Sequence, residues 1–419
     1  TELLKRSELD AQGVEEVVRD LLKDIKNNGI KAVLSHVQKF DKWSPQNFES
    51  LKIDENDMKI AYDTLDSNLR DSLQEAFKRI FTFHDKQKPK TWLDFEENGT
   101  ILGQKISPLE RVGLYIPGGK AAYPSSLLMN AIPAIVAGVK EIVVCTPASK
   151  GKINTLLLAA MHLCNIKEVY KIGGASAIGM MAYGLSETFN KVDMISGPGN
   201  IYVATAKKLV FGTVNIDMIA GPSEIGIIAG ENANADYIAW DLLSQAEHDE
   251  MASSILITQS SKLALEVSHK INIFLSNLPR KEIAAKSIYK RGAIILTQSL
   301  EESISLSNAI APEHLELFIE NPLEILTKIK HAGAIFIGEN TPEPIGDYIA
   351  GPNHTLPTGG SARFFSPLST ENFMKKSSVI AFSGKAIEQI GEKCSLLAQA
   401  EGLEAHKNSV LIRLKKDCQ

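Results

Sequence analysis

The sequence predicts an α/β protein with two parallel-sheet domains, one of them discontinuous in sequence, and small helical extensions at both ends. Three observations lead there. From Arg111 onward, short β-rich runs alternate with helix-patterned ones at the spacing of βαβ units. The alternation pauses near Pro222 and then resumes. The chain has 419 residues, more than one ordinary core holds, so roughly two or three domains are expected.

Composition narrows the class further. Hydrophobic residues at 44% and charged residues at 23% are the balance of a soluble globular protein. A net charge of -5 argues against nucleic acid or an anionic membrane as the main partner. No apolar run approaches the ~20 residues that span a bilayer. The chain opens on Thr1-Glu-Leu-Leu-Lys-Arg with neither Met nor a signal-peptide core, so a processed or trimmed N-terminus is expected. Cys145, Cys164, Cys394 and Cys418 are scattered without a CxxC pair. That spacing predicts a reducing cytoplasm, no disulfide and no cysteine-based metal site.

Taken in order, residues 1–14 read as a helical extension. Val14 to Ile25 carries apolar residues at helical spacing, and Asn68 to Phe83 reads as a second amphipathic helix. Val112-Gly-Leu-Tyr-Ile, Glu141-Ile-Val-Val-Cys-Thr, Val169-Tyr-Lys-Ile and Val192-Asp-Met-Ile-Ser read as strands. The runs 125–139, 154–164, 175–183 and 202–209 read as the helices between and after them. Ile225-Gly-Ile-Ile-Ala, Ser254-Ile-Leu-Ile-Thr, Ala293-Ile-Ile-Leu and Ala334-Ile-Phe-Ile read as the strands of a second sheet. Both domains are therefore expected to be Rossmann-like. One covers 115–222. The other joins 15–114 to 223–367, its sheet completed by the N-terminal helices. The Pro/Gly-rich run Gly351 to Pro367 reads as loop, and 368–419 as a helical tail.

Ligands in such sheets bind at the carboxyl ends of strands. Three glycine turns fall there: Ile116-Pro-Gly-Gly119, Ile172-Gly-Gly-Ala175 and Gly197-Pro-Gly-Asn200. Glycine lets backbone approach a phosphate, and the next helix N-terminus attracts its charge. None is a GxGxxG fingerprint, and βα turns need glycine in any case. Asp241-Leu-Leu-Ser-Gln-Ala-Glu-His248 reads as a helix with Asp241, Gln245 and His248 on one face. An amide beside an imidazole is half of a site for a borderline cation such as Zn²⁺; by spacing alone such a pair is usually a solvated face. Glu313-His314 follows a proline, where the imidazole suits proton transfer and the carboxylate suits handling a water. Asp347 and His354 share a Gly-rich loop, and Asp347 is a candidate to complete a metal set. Glu401 and His406 lie together near the C-terminus.

These motifs, in this order from about Arg111 to His406, resemble those of the histidinol dehydrogenase family. They are Gly-Leu-Tyr115-Ile-Pro-Gly-Gly, Gly197-Pro-Gly-Asn200, Ala220-Gly-Pro-Ser223-Glu, Leu243-Ser-Gln245-Ala-Glu-His248, Ala311-Pro-Glu313-His314-Leu-Glu, Gly346-Asp347-Tyr…Asn-His354 and Glu401…Ala-His406-Lys-Asn. The resemblance implies an enzyme that oxidises L-histidinol to L-histidine through histidinal, with two NAD⁺ and one Zn²⁺ per subunit. It implies Gln245, His248, Asp347 and His406 as zinc ligands that also face substrate, and Glu313 and His314 as the proton-handling pair. Ser223, His354, Glu401 and His314 would contact substrate. Tyr115, Ser176 and Asn200 would lie in the NAD site, with Ser176 standing where the family commonly has Gln. It further implies a homodimer in which the tail reaches the partner's site.

The residue types suit that chemistry, because the substrate's imidazole and amine are themselves good Zn²⁺ ligands. Two rival readings use the same residues: a zinc-dependent hydrolase without nicotinamide, and a metal-binding protein without turnover. His36, His84, His162, His269 and His331 match no motif and are expected in satisfied core or surface roles.

Overall fold

The computed structural model describes residues 12–118 and 123–414. The chain forms two compact units. One combines the described residues up to Gln87 with those of Leu109–Phe373; the other combines Lys88–Pro108 with the described residues from Met374 to Leu414.

The larger unit holds two five-stranded sheets, each entirely parallel. In the first, the order across the sheet is Glu168–Lys171, Glu141–Thr146, Arg111–Tyr115, Met194–Ser196, Asn215–Ile216. In the second it is Ala293–Leu296, Ser253–Thr258, Glu224–Ala229, His314–Phe318, Ala334–Ile337. Both sheets share one winding. The chain steps outward from its first strand twice, then returns to that strand's other side. Strands Glu224–Ala229, Ser253–Thr258 and His314–Phe318 are buried at every position; the first two carry the apolar runs expected of strands covered on both faces, whereas His314-Leu-Glu-Leu-Phe alternates and buries His314 and Glu316.

Helices lock onto these sheets by apolar stripes. Helix Ala235–Ala246 opens on Asn234, whose side chain accepts the N–H groups of Asp236 and Tyr237. It buries Ile238, Ala239, Leu242, Leu243 and Ala246 against Ile225, Ile227 and Leu256.

Three expectations need correction. Helix Gln12–Asn28 does not complete the second sheet. Its Val18, Leu22 and Ile25 pack with Ile178 and Met181 over the first. Gly179 permits this, since a Cβ there would stand 2.9 Å from Ile25 Cδ1. The split between 114 and 115 falls inside the strand Arg111–Tyr115. The tail is not purely helical: strand Met374–Ala381 pairs antiparallel with Ile101–Pro108, which pairs with Trp92–Phe95. Helices Gly384–Ala400 and Glu404–Leu414 follow in the same unit. Part of the predicted extension at 1–14, Gly119 and Cys418 lie outside the described residues. No described helix is long and apolar enough to cross a membrane.

Candidate active site

The chemistry-bearing residues of the second sheet gather at the amino ends of its strands, not at the carboxyl ends expected for such a sheet. Helix Ala235–Ala246 runs back against the strand it follows, so its last turn returns to the amino edge with Gln245. His248 sits just past the helix end, its N–H bonded to the Gln245 carbonyl at 3.2 Å. The Gln245 amide nitrogen lies 3.4 Å from His248 Nδ1. Gln245 is fully buried, and its amide oxygen has no hydrogen-bond partner among the described residues.

Asp347 comes to the same place from helix Glu343–Tyr348. Ligand atoms of His248, Glu343 and Asp347 all lie within 4.8 Å of one another. Burial acts to raise the Asp347 pKa, yet His314, His354 and His248 around it hold it down at about 2. His248 is exposed, although neighbouring protein surrounds part of its ring. Protein crowding around its ring lowers its pKa, against the pull of Asp347.

Glu313 and His314 are fixed by one residue of the adjoining strand. Glu313 Oε2 accepts the Glu224 N–H at 2.8 Å. His314 Nδ1 donates to the Glu224 carbonyl at 3.0 Å. That bond sets the tautomer, so Nε2 faces the site, 3.6 Å from Asp347 Oδ1. Burial pushes Glu313 up to about 8, against the opposing pull of His314. Burial acts to lower His314, but the carboxylates of Glu313, Asp347 and Glu343 outweigh it and raise the imidazole well above 6.5.

Other predicted residues lie as follows. Ser223 is half-buried directly before strand Glu224–Ala229. His354 is half-buried, with a buried Nε2 that has no hydrogen-bond partner among the described residues. Glu401 and His406 belong to the smaller unit, at the end of helix Gly384–Ala400 and on helix Glu404–Leu414, and both are exposed there.

The residues expected at NAD lie at the carboxyl edge of the first sheet. Tyr115 is 4% exposed and its hydroxyl accepts the Gly174 N–H at 3.1 Å. Asp41 accepts the Gly173 N–H at 3.0 Å. Two amides of that glycine turn are thus already engaged by protein. Ser176 is 4% exposed and bonded to His36 Nδ1 at 3.0 Å, facing inward. Asn200 is exposed and caps helix Ile201–Val210 with its side-chain oxygen.

Sequence reasoning missed Glu343. Its signal was present, since Glu343 and Asp347 are four apart, but two prolines around Glu343 hide a six-residue helix. The donor set fits a borderline cation: imidazole, carboxylate and amide, with the buried Gln245 oxygen otherwise unsatisfied.

Fold and site together define an α/β enzyme with a buried glutamate–histidine pair beside a group of metal-type donors. Known proteins agree and are more specific. The family model for histidinol dehydrogenase matches residues 4–414. A histidinol dehydrogenase from Wolinella succinogenes is 66% identical over 99% of this chain and 95% of its own length. Another from Helicobacter hepaticus is 61% identical over 99% of this chain and 94% of its own. The crystal structure of histidinol dehydrogenase from Elizabethkingia anophelis superposes with a TM-score of 0.93 at 39% identity, covering 99% of this chain and 95% of that one. The chain belongs to the histidinol dehydrogenase family, a family of oxidoreductases.

Proposed function

We propose that this chain oxidises L-histidinol to L-histidine by way of histidinal, in the last steps of histidine biosynthesis, with two NAD⁺ and one Zn²⁺ per subunit. The observation that carries this reading is the convergence of Gln245, His248 and Asp347 on the face that Glu313 and His314 address. Gln245, His248 and Asp347 would hold the metal with His406 of a partner's tail, in a cytoplasmic homodimer whose sites are shared. When bound, the cation supplies an orienting template for the substrate's imidazole and amine and offsets the carboxylate charge around His314.

The chain's own residues do the rest. With Nδ1–H tied to the Glu224 carbonyl, His314 takes the alcohol proton at Nε2 as hydride leaves the carbinol carbon for NAD⁺. Glu313, held by the Glu224 N–H, takes a proton from the water that attacks the aldehyde, while His314 returns its Nε2 proton to the carbonyl oxygen, which completes the gem-diol and frees Nε2. His314 then takes a proton from the gem-diol as the second hydride leaves. Ser223, His354 and the tail's Glu401 hold the substrate's polar groups. Asn200, exposed at the carboxyl edge of the first sheet, supports NAD⁺ binding there, with Tyr115 beneath it. Ser176 enters that contact only by leaving His36.

The test is absorbance at the NADH band with histidinol, with and without a chelator. NADH formation that a chelator stops and Zn²⁺ restores supports the reading; no NADH from histidinol sinks it.

A further inference from the structure

Helix Pro124–Ala137 belongs to none of the motifs and none of the steps above, yet it carries two features that helix stability alone does not call for. Pro133 stands in its interior. A proline has no N–H, so the Met129 carbonyl one turn earlier lacks its helical donor. That carbonyl accepts the Asn353 side-chain amide at 2.6 Å. Asn130, the next residue, is fully buried in a stretch that is otherwise apolar. A buried amide is costly unless its polar atoms are paired, and here they are. Its nitrogen donates to the Ser126 carbonyl at 2.8 Å and to the Thr355 hydroxyl at 3.3 Å. The Ser126 carbonyl can only accept, which fixes the orientation of the amide, so its oxygen accepts the Ser196 hydroxyl at 2.5 Å.

These bonds reach two separate places. Ser196 ends strand Met194–Ser196 and directly precedes the Gly197-Pro-Gly-Asn200 turn. Asn353 and Thr355 are the two neighbours of His354, one of the imidazoles around Asp347. The Thr355 N–H bonds the Asn353 side-chain oxygen at 2.8 Å, which ties the two flanks of His354 to each other. Ser196, Asn353 and Thr355 are all buried, so water does not compete for these bonds. We propose that Asn130 is a positioning residue for hydride transfer: it fixes the spacing between the turn at the cofactor edge of the first sheet and the loop that presents His354. This rests on the reading that the turn meets NAD⁺ and that His354 meets the substrate. Transfer requires the two reacting carbons in near-contact, and a misplacement of about 1 Å costs about 10²-fold in rate. A buried amide bonded to both segments resists such a misplacement without touching either reactant.

The experiment breaks one arm of the link at a time in the full-length protein supplied with Zn²⁺. Thr355→Val removes the hydroxyl that Asn130 reaches and keeps the shape; Thr355→Ser keeps the hydroxyl. Calorimetry gives the affinity for NAD⁺, and for histidinol in the absence of NAD⁺. Stopped-flow absorbance gives the single-turnover rate of NADH formation with both reactants saturating. For Thr355→Val the rate is expected to fall about 10- to 100-fold while each reactant binds within about threefold of wild type, and Thr355→Ser should recover most of the rate. Should Thr355→Val fold poorly by circular dichroism, Ser196→Ala breaks the other arm and is measured instead, with the same expectation. A rate closer to wild type than this overturns the proposal. So does a fall in rate matched by an equal loss of affinity, which would mean a lost binding contact and not a lost register, or a Thr355→Ser protein as slow as Thr355→Val. A wild-type protein that forms no NADH from histidinol overturns the reading of the site itself, a different outcome from loss confined to the variants.

Discussion

Glu313 and His314 are consecutive residues that grip the two ends of one amino acid: the carboxylate takes the N–H of Glu224 and the imidazole takes its C=O. Each is thereby held in one orientation, and His314 is left with Nε2 3.6 Å from Asp347 Oδ1. On the proposed roles, this arrangement separates the two half-reactions. Glu313→Gln retains an acceptor for the Glu224 amide but cannot remove a proton from water. It is expected to oxidise histidinol with modest loss and to slow histidinal oxidation by about 10² to 10⁴. Single-turnover measurements from each substrate check this, and equal loss in both would remove the assigned roles.

The tail supplies the second prediction. Glu401 and His406 lie exposed on the smaller unit, while Gln245, His248 and Asp347 belong to the larger one. If the tail serves a partner, mixing His406→Ala with His248→Ala subunits creates mixed dimers in which one site of two is intact. About half of wild-type activity per mixed dimer is then expected, from parents that have almost none. No recovery on mixing would show that each site is built from one chain.

Lys207 and Asp217 form a buried ion pair, with side chains 2% and 0% exposed. The pair clamps both sides of Gly197: Lys207 Nζ donates to its carbonyl and Asp217 Oδ2 accepts its N–H, each at 2.9 Å. Gly197 has φ +125, and a Cβ there would sit 1.9 Å from the Tyr115 carbonyl oxygen. Lys207→Met leaves the buried Asp217 carboxylate without its cation. Destabilisation of about 3–5 kcal/mol is expected, read as a lowered thermal midpoint. A loss under about 1 kcal/mol would show that the clamp does not secure this turn.

How far such features can be read from sequence depends on their range. The strands Glu141–Thr146 and Ala293–Leu296 have the bounds that their apolar runs suggest, because local pattern and burial agree there. The partner sheet of helix Gln12–Asn28 was not legible. Its stripe of Val18, Leu22 and Ile25 fits any apolar surface, and the choice rests on small residues such as Gly179, more than a hundred positions away. Glu313, His314, Gln245, His248 and Asp347 stood out through motifs. Glu343 did not, because its neighbours in space come from another helix and prolines conceal its own. Ser176 shows the limit from the other side: the resemblance puts its hydroxyl in the NAD site, but helix packing turns it inward to His36.

Asp41 gives the last prediction. It is half-buried, and burial raises its pKa to about 6, although the Gly173 N–H opposes the shift. The unfolded value is near 3.8. Between these values the folded protein holds a proton on Asp41 that the unfolded chain has released. Stability therefore falls as pH rises from about 4 to about 6, and the loss persists above that range. A shift of about two pH units corresponds to on the order of 2–3 kcal/mol. Asp41→Asn keeps a side-chain acceptor for Gly173 and removes the titration. Relative to this variant, the wild-type protein should lose thermal stability across that pH range, so that at neutral pH the variant melts higher. Thermal midpoints of both proteins between about pH 4 and 7.5 decide the matter. A difference that does not change with pH would mean that Asp41 keeps its charge in the folded protein, and that the Gly173 amide outweighs burial.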